Sequence, residues 1–253
     1  MSFALALPDV SYHVLAASAV IVLVGYTIFG ATGFGSSIVS VPLLAHLLPL
    51  AACVPLVTSL DIFAATTTSW RNRRLADFRE FMRIAPASLI GIALGTTVLV
   101  GLPAAPALMA LGVFVTLYGG YLLSGAPRLT RVPAWLVWPI GVAGGVFSAL
   151  FGSGGPVYVI YLSARIDDKS RLRATMSTVI LLSVWLRVAL FIVAGVLLDA
   201  RLLLLVAGLV PVMALGLFLG HRLHVRLSNA GVLRLIAALL TVNGVTLLAR
   251  VLL

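Results

Sequence analysis

Long apolar runs alternate with short polar stretches along almost the whole chain, and this pattern predicts ten hydrophobic segments. The segments are His13–Gly30, Phe34–Leu48, Ala51–Trp70, Met82–Val100, Ala104–Ser124, Pro133–Phe151, Pro156–Ala164, Ala174–Leu198, Leu202–Gly220 and Gly231–Leu252. At about 1.5 Å of rise per residue, a helix of about 20 residues crosses a hydrocarbon core of roughly 30 Å, whereas Pro156–Ala164 reaches only about half of it. The pattern therefore predicts an all-α integral membrane protein with eight full spans and two short segments.

Two glycine-serine breaks interrupt the apolar pattern at matching places in the two halves of the chain. The first lies in Gly33–Leu43, GFGSSIVSVPL, and the second in Ala149–Tyr161, ALFGSGGPVYVIY. Each break precedes an apolar run that contains proline. Paired breaks of this kind are typical of transporters that are built from two repeats, with broken or re-entrant helices around the substrate.

Other small residues also recur between the two halves, at one constant offset of 125 residues. The matched residues are Gly91, Gly95, Thr116 and Gly119 in the first half and Gly216, Gly220, Thr241 and Gly244 in the second. Close helix packing explains any single glycine pair equally well, but the ordered recurrence favours a repeat. Since five segments per half would insert the second half upside down, we expect one transporter domain, residues 1–253, with inverted repeats over 10–124 and 132–253.

The composition indicates that the protein lies in a lipid bilayer. The chain is 62% hydrophobic and 9% charged, with a mean hydropathy of +1.19, so most of its apolar surface has to face lipid. A formal net charge of +10 would suggest nucleic acid in a soluble protein. Here the basic residues are concentrated in a few short loops, which is typical of membrane proteins, so we expect a lipid bilayer and no nucleic-acid partner.

The positions of the cations predict the orientation in the membrane. Four basic clusters follow segments three, five, seven and nine: Arg71, Arg73, Arg74, Arg79 and Arg83; Arg128 and Arg131; Arg165, Lys169, Arg171 and Arg173; Arg222 and Arg226. All four follow odd-numbered segments, so the positive-inside rule places them in the cytoplasm. Both termini are therefore expected on the outer, periplasmic side.

The two breaks have the chemistry of an anion site. An unwound backbone at membrane depth is tolerated only where it lines a cavity, and a helix that restarts there directs free N–H groups into that cavity. Glycines let a ligand approach those amides, and serines add hydroxyl donors. The expected anion-binding residues are Phe34, Gly35, Ser36, Ser37, Gly152, Ser153, Gly154 and Gly155. The alternative is that both stretches are ordinary loops at the membrane surface.

Together the two motifs resemble a known family. The residues are G-x-T-G-F-G-S-S-x-x-x-x-P at Gly30–Pro42 and F-G-S-G-G-P at Phe151–Pro156. Their order, the chain length and the two-repeat pattern are similar to those of the sulfite exporter TauE/SafE family, also described as 4-toluene sulfonate uptake permeases. The resemblance implies a carrier of the bacterial inner membrane that moves small sulfur-containing anions, such as sulfite or sulfonates, usually without ATP.

Two charged residues lie within the predicted spans. Arg187 is mid-way along segment eight and Asp61 is central in segment three, where each charge costs about 2.5–3.5 kcal/mol on insertion scales. The planar guanidinium of Arg187 suits a sulfur oxyanion, so Arg187 is a further candidate for substrate binding, but a structural role is an equal alternative. Asp61 is either the structural partner of Arg187 or a protonatable coupling group. A ligand or the helix carbonyls can bind the hydroxyls of Thr58, Thr66, Thr67 and Thr68 and the amide of Asn243, and the helix carbonyls are the expected partners.

An enzyme finds little support in the sequence. Neither an H-E-x-x-H motif, a cysteine cluster nor a P-loop occurs, so no cofactor, metal site or catalytic residue is expected. The alternatives to a carrier are an anion channel and a membrane subunit that assembles or anchors another protein. The paired breaks favour alternating access around a small anionic substrate. Coupling to H+ or Na+ and a homodimer are both left open.

Overall fold

The structure, a computed structural model, describes residues 12–101, 103–124, 133–193, 195, 197, 199–224 and 229–252. The helices are α1 Tyr12–Thr32, α2 Ser36–Leu44, α3 Leu50–Asn72, α4 Phe78–Gly101, α5 Ala104–Leu123, α6 Val137–Phe151, α7 Gly155–Ser163, α8 Lys169–Val193, α9 Ala200–His224 and α10 Asn229–Leu252. A 3-10 turn, Ala134–Leu136, leads into α6. These described residues contain no β-strand, and the prediction of an all-α fold is confirmed.

The chain is a multi-pass membrane protein. Seven helices are long and apolar enough to span a bilayer: α1, α3, α4, α5, α6 with its preceding turn, α8 and α9. The remaining long helix, α10, has 24 residues, and its length of about 36 Å is sufficient to cross. By contrast α2 and α7 have only 9 residues each, as expected for the two short segments.

The largest departure from the predicted bounds is at α8, which begins five residues before the predicted segment and ends five residues before its predicted end. Asp168 starts the helix early, because its Oδ1 accepts a hydrogen bond from the Arg171 N–H at 2.7 Å. Gly195, with φ 74°, lies just beyond the observed end. Hydropathy follows the apolar stretch rather than the helix, so it misses a polar first turn and continues through the apolar residues after Val193.

The second predicted segment is also shorter in the structure. It was expected to continue to Leu48, but α2 ends at Leu44. The following residues form tight turns, in which the N–H groups of His46 and Leu47 donate to the carbonyls of Leu43 and Leu44. As a result α2 matches α7 in length, and both are half-helices that follow a glycine-serine break.

The helices pack in a pattern that is preserved when the two halves are exchanged. Helix α1 packs against α9, and the corresponding α6 packs against α4. Helix α3 packs against α8, and α5 against α10, so each of these pairs joins corresponding helices. The most buried of the spanning helices is α3, which lies at the centre with α2. This pairing supports the expected two-repeat architecture of five helices per half, which stays a prediction.

Glycines allow α1 and α9, and likewise α4 and α6, to approach closely. A Cβ on Gly220 of α9 would lie 2.8 Å from the Cα of Gly30 on α1, and one on Gly91 of α4 would lie 2.9 Å from the Cα of Gly145 on α6. Real Cβ atoms essentially never come within 3.0 Å of such neighbours. The backbones of α1 and α9, and of α4 and α6, are therefore in direct contact.

The pair α5 and α10 shows the same exchange residue by residue. A Cβ on Gly119 would lie 2.8 Å from the backbone nitrogen of Thr241, and one on Gly244 would lie 2.7 Å from that of Thr116. Gly119 thus packs against Thr241, and Gly244 packs in the same way against Thr116. The residues that recur at the offset of 125 therefore occupy equivalent packing positions.

The close contact between α9 and α1 predicts the effect of adding one methyl group. Gly220→Ala should lower the free energy of unfolding by about 1–3 kcal/mol, because its Cβ would collide with the backbone of α1. Gly208→Ala on the same helix is the matched control, since a Cβ there meets nothing within 4 Å. It should be neutral or raise stability by about 0.5–1 kcal/mol. Thermal unfolding of both variants in detergent measures the difference, and equal stability would contradict this packing.

The orientation remains a prediction that cysteine labelling can test. Arg128, Arg131 and Arg226 lie outside the described residues, but the cluster after α3 has an exposed neighbour, Leu75. In a Cys53→Ser background, Leu75→Cys should react with a membrane-impermeant maleimide from the cytoplasmic side. Tyr12→Cys, at the other end of the bundle in the predicted topology, should react from outside, because Tyr12 is 90% exposed. The opposite labelling pattern would overturn the cytoplasmic placement of the cations.

Candidate functional site

Left-handed glycines form the two breaks. Gly35, with φ 97°, precedes α2, and Gly152, with φ 70°, ends α6. Only glycine adopts this backbone conformation without strain, so both positions are specified by backbone geometry. The carbonyls that are freed at the end of α1 are bound by α8, where Arg173 donates to the Gly30 oxygen and Ser177 Oγ donates to the Gly33 oxygen. The breaks are therefore built into the bundle and are not surface loops.

The two breaks border one small internal cavity. The cavity volume that the centre of a water molecule can reach is about 20 Å³. The N-terminal ends of α2 and α7 both reach it. Its lining includes most of the residues that the sequence identified, namely Gly35, Ser36, Ser37, Asp61, Gly152, Ser153, Gly154, Gly155 and Arg187. Phe34 is the exception and does not line the cavity. Its ring packs beside Gly155, where a Cβ would be 3.0 Å from the Phe34 Cδ2.

Asp61 is held at the first break by hydroxyl groups. Its Oδ1 accepts hydrogen bonds from Tyr26 Oη at 2.7 Å and from Ser36 Oγ at 2.8 Å. Its Oδ2 accepts one from Ser37 Oγ at 2.8 Å. Ser36 and Ser37 are the first two residues of α2, so the carboxyl group lies at the N-terminal end of this half-helix. The protein's own carboxyl group therefore occupies the first break.

Arg187 lies between Asp61 and the second break. Its Nη1 donates to Thr58 Oγ1 at 3.0 Å, and its Nη2 is 4.0 Å from Asp61 Oδ2. That distance allows electrostatic attraction but exceeds a hydrogen bond. Nε has no hydrogen-bond partner among the residues that the structure describes. The guanidinium, which is 1% exposed, thus retains donor capacity beside the cavity.

The second break has donors that the first lacks. Ser153 is 4% exposed and lines the cavity, and its hydroxyl has no partner within the described part of the chain. At the start of α7, Pro156 has no N–H and the Val157 N–H donates to the Gly154 oxygen at 3.1 Å, which leaves the Gly155 amide to donate. At Gly152, a Cβ would lie 3.1 Å from Arg187 Nη1, so glycine also leaves room for the guanidinium. The Ser153 hydroxyl, the Gly155 amide and the Arg187 guanidinium all belong to residues that line the cavity, and this combination of donors suits an oxyanion.

The roles of two residues that border this site, Tyr26 and Thr58, were missed by sequence reasoning. Tyr26 binds Asp61 from α1, although nothing in the sequence distinguishes this tyrosine from other aromatic residues of an apolar run. Thr58 was expected to bond to a helix carbonyl but instead accepts from Arg187. A clue was available for Thr58, because it lies three residues before Asp61 and hence on the same helix face.

The loop end of α7 is tied to the first half by an ionic cluster. Glu80 on α4 pairs with Arg83 at 2.6 Å and with Arg165 Nε at 3.1 Å. Tyr161 on α7 donates from its hydroxyl to Glu80 Oε2 at 3.1 Å. We call these four residues the Glu80 cluster. It connects the C-terminal end of the second half-helix to α4.

A second polar cluster ties the corresponding end of α2 to the second half. His46 Nε2 lies 2.9 Å from Asn243 Oδ1 on α10, and Arg250 Nη1 donates to the carbonyl of Ala45 at 3.0 Å. We call His46, Asn243 and Arg250 the His46 cluster. Each half-helix is thus fixed at its C-terminal end to a spanning helix of the opposite half.

Comparison with known proteins extends these observations. A family model described as "Sulfite exporter TauE/SafE" matches residues 17–247. The chain is 25% identical over 193 residues to a "Probable inner membrane transporter protein TsaS" of Comamonas testosteroni. The aligned region covers 76% of this chain and 81% of the relative. No solved structure matches the chain significantly.

The arrangement of Asp61 and Arg187 predicts a stability cycle. Arg187→Met should lower the free energy of unfolding by about 3–5 kcal/mol, because it leaves a buried carboxylate without a nearby cation, and Asp61→Leu should be comparably harmful. The double variant should recover much of the loss, since neither charge remains. Thermal unfolding of the three variants measures the coupling. Strictly additive losses would show that the two charges do not stabilise each other across the 4.0 Å gap.

Proposed function

We propose a substrate and a mechanism for this chain on the premise that it belongs to the sulfite exporter TauE/SafE family, whose model matches residues 17–247. The chain is accordingly a membrane transporter of the inner-membrane type. The proposed substrate is a small sulfur-containing anion, such as sulfite or a sulfonate. The proposed mechanism is secondary transport by alternating access.

The observation that carries this proposal is the set of unpaired donors at the second break. Arg187 Nε and the Ser153 hydroxyl are both buried without hydrogen-bond partners among the described residues, and both belong to residues that line the cavity. A buried unpaired donor is unfavourable, so such groups call for a bound acceptor. A sulfur oxyanion offers several oxygens to one guanidinium, one hydroxyl and the Gly155 amide at the start of α7. We therefore place the substrate beside Gly152–Gly155.

The size of the cavity supports a transport cycle in place of a permanently open pore. A space of about 20 Å³ accommodates on the order of one or two water molecules, less than a sulfite or sulfonate group requires. A cavity of this size supports a site that has to widen before the substrate enters. Substrate entry requires the helices around the cavity to separate on one side.

The two polar clusters are suited to control this separation. The Glu80 cluster holds α7 to α4, whereas the His46 cluster holds the end of α2 to α10. In the predicted topology they lie on opposite sides of the membrane, with the Glu80 cluster on the cytoplasmic side. Rocking one repeat against the other would release the clusters alternately and expose the central site to each side in turn.

The test of this proposal is an anion-binding screen on purified protein with Arg187→Lys as the diagnostic variant. Sulfite, sulfate, thiosulfate, sulfonates and carboxylates are compared by calorimetry and by uptake into proteoliposomes. Wild-type protein should prefer a sulfur oxyanion. Arg187→Lys should bind it about 10- to 100-fold more weakly, because an ammonium cannot replace the planar guanidinium.

Arg171→Lys is the matched control, because Arg171 is a half-exposed partner of Asp77 outside the cavity. This variant should bind the anion like the wild type. Equal affinities of the two lysine variants would place the anion site away from Arg187. Binding of carboxylates alone would refute the proposed substrate class.

A further inference from the structure

The charges at the cavity cancel before a substrate binds. Asp61 and Arg187 are its only acidic and basic lining residues within the described chain. One buried carboxylate and one buried guanidinium are together neutral. A monovalent anion that enters this site leaves one excess negative charge, and a buried charge without compensation is penalised by several kcal/mol. A second positive charge therefore has to accompany the anion.

The environment of Asp61 accommodates a proton without rearrangement of the backbone. Among the described residues, the hydrogen bonds to the carboxyl group come from hydroxyls, those of Tyr26, Ser36 and Ser37. A hydroxyl both donates and accepts, so a serine hydroxyl can turn and accept a hydrogen bond from a protonated Asp61. Backbone N–H or guanidinium donors within hydrogen-bond distance would oppose protonation, but the nearest guanidinium nitrogen is 4.0 Å away.

Few other charged or titratable groups face Asp61. Tyr26 of α1 and Arg187 of α8 are the two that interact with it, and α2 contributes only serines. Two further helices pack against α3, namely α5 and α9. Helix α5 contains no acidic or basic residue, and the basic residues of α9 lie in its first and last turns. The electrostatic balance at Asp61 thus depends on Arg187.

A proton fits this site better than a metal cation does. A sodium ion bound to the same carboxylate would lie close to the guanidinium, since Arg187 Nη2 is only 4.0 Å from Asp61 Oδ2. Repulsion between two cations at that distance weakens metal binding. Protonation instead removes the negative charge and adds no ion to the cavity.

We infer that Asp61 is a proton-binding site and that one proton bound there accompanies each monovalent anion through the protein. The inference rests on the proposed function. When Asp61 is ionised, its carboxylate is the internal counter-ion of Arg187. With Asp61 protonated, Arg187 is the sole remaining charge and binds the substrate anion, so the loaded site is neutral. Proton and anion leave together on the other side, and no covalent bond is formed in the substrate.

The test measures methanesulfonate and 4-toluenesulfonate binding to the purified full-length protein over a pH series. Sulfonates stay ionised at every pH used, so any pH dependence belongs to the protein. Wild-type affinity should rise about tenfold for each unit of pH decrease above the titration of Asp61, as linkage with one proton requires. Asp61→Asn should bind at all pH values with less than about twofold change per unit. Asp167→Asn makes the same chemical change at an exposed loop position and should retain the wild-type slope.

Proteoliposomes loaded with a pH-sensitive dye provide an independent readout, which measures proton movement directly. Methanesulfonate entry into wild-type liposomes in sodium-free buffer should acidify the interior by about one proton per anion. Asp61→Asn should abolish the acidification. Sulfonate binding without pH dependence, transport without acidification, or an absolute requirement for sodium would each overturn the proton site while leaving the anion carrier intact. Failure of both sulfonates to bind would instead refute the proposed sulfonate substrate, and this inference with it.

Discussion

Two opposite charges are buried in an apolar bundle, and their need for partners explains the polar contacts at the centre of this protein. Asp61 and Arg187 are each 1% exposed. Because α3 and α8 pack against each other, the two charges lie close together. Neither is fully satisfied by the other, so Asp61 recruits hydroxyls from α1 and α2, and Arg187 recruits Thr58. The structure thus stabilises both charges while it keeps them separable.

Close backbone contacts position the breaks around this pair. Gly220 lies directly on α1 near Gly30, and Gly91 lies on α6 near Gly145. Helices α1 and α6 are the two helices that end in the breaks, so each is supported by a glycine contact shortly before its chain unwinds. Polar groups of α8, from Arg173 and Ser177, then bind the carbonyls at the end of α1. The unwound backbone is therefore surrounded by protein, as a membrane interior requires.

The two halves of the chain are alike in packing but not in chemistry. The first break presents Ser36 and Ser37, whose hydroxyls are both bound to Asp61. The second has Ser153, Gly154 and Gly155, and the Ser153 hydroxyl remains unpaired among the described residues. The start of α2 thus binds the carboxyl group of Asp61, whereas the start of α7 has a donor without a partner among the described residues. This asymmetry is the basis of the proposed pairing of an internal carboxylate with an external anion.

The sequence by itself determined the all-α membrane fold, the family and the places where the helices break. These features depend on the length of apolar runs and on glycines in positions that need a left-handed backbone, both of which are local properties of the chain. It also identified Asp61 and Arg187 as unusual, because a charge in an apolar run is costly wherever it points. The bounds of α8 were less well determined, since Asp168 starts that helix through a local polar contact that hydropathy does not register.

Only the tertiary structure decided which donors meet which charges. Tyr26, Ser36 and Ser37 lie 24 to 35 positions before Asp61 in the chain, and Arg187 lies far beyond it, so their convergence depends on how α1, α2, α3 and α8 pack. The glycine-serine motifs look equivalent in sequence, yet one binds a carboxyl group of the protein and the other does not. The physical reason is that hydrogen bonds and ion pairs depend on distances of a few ångströms between helices, and periodicity along one helix contains no information about its neighbours.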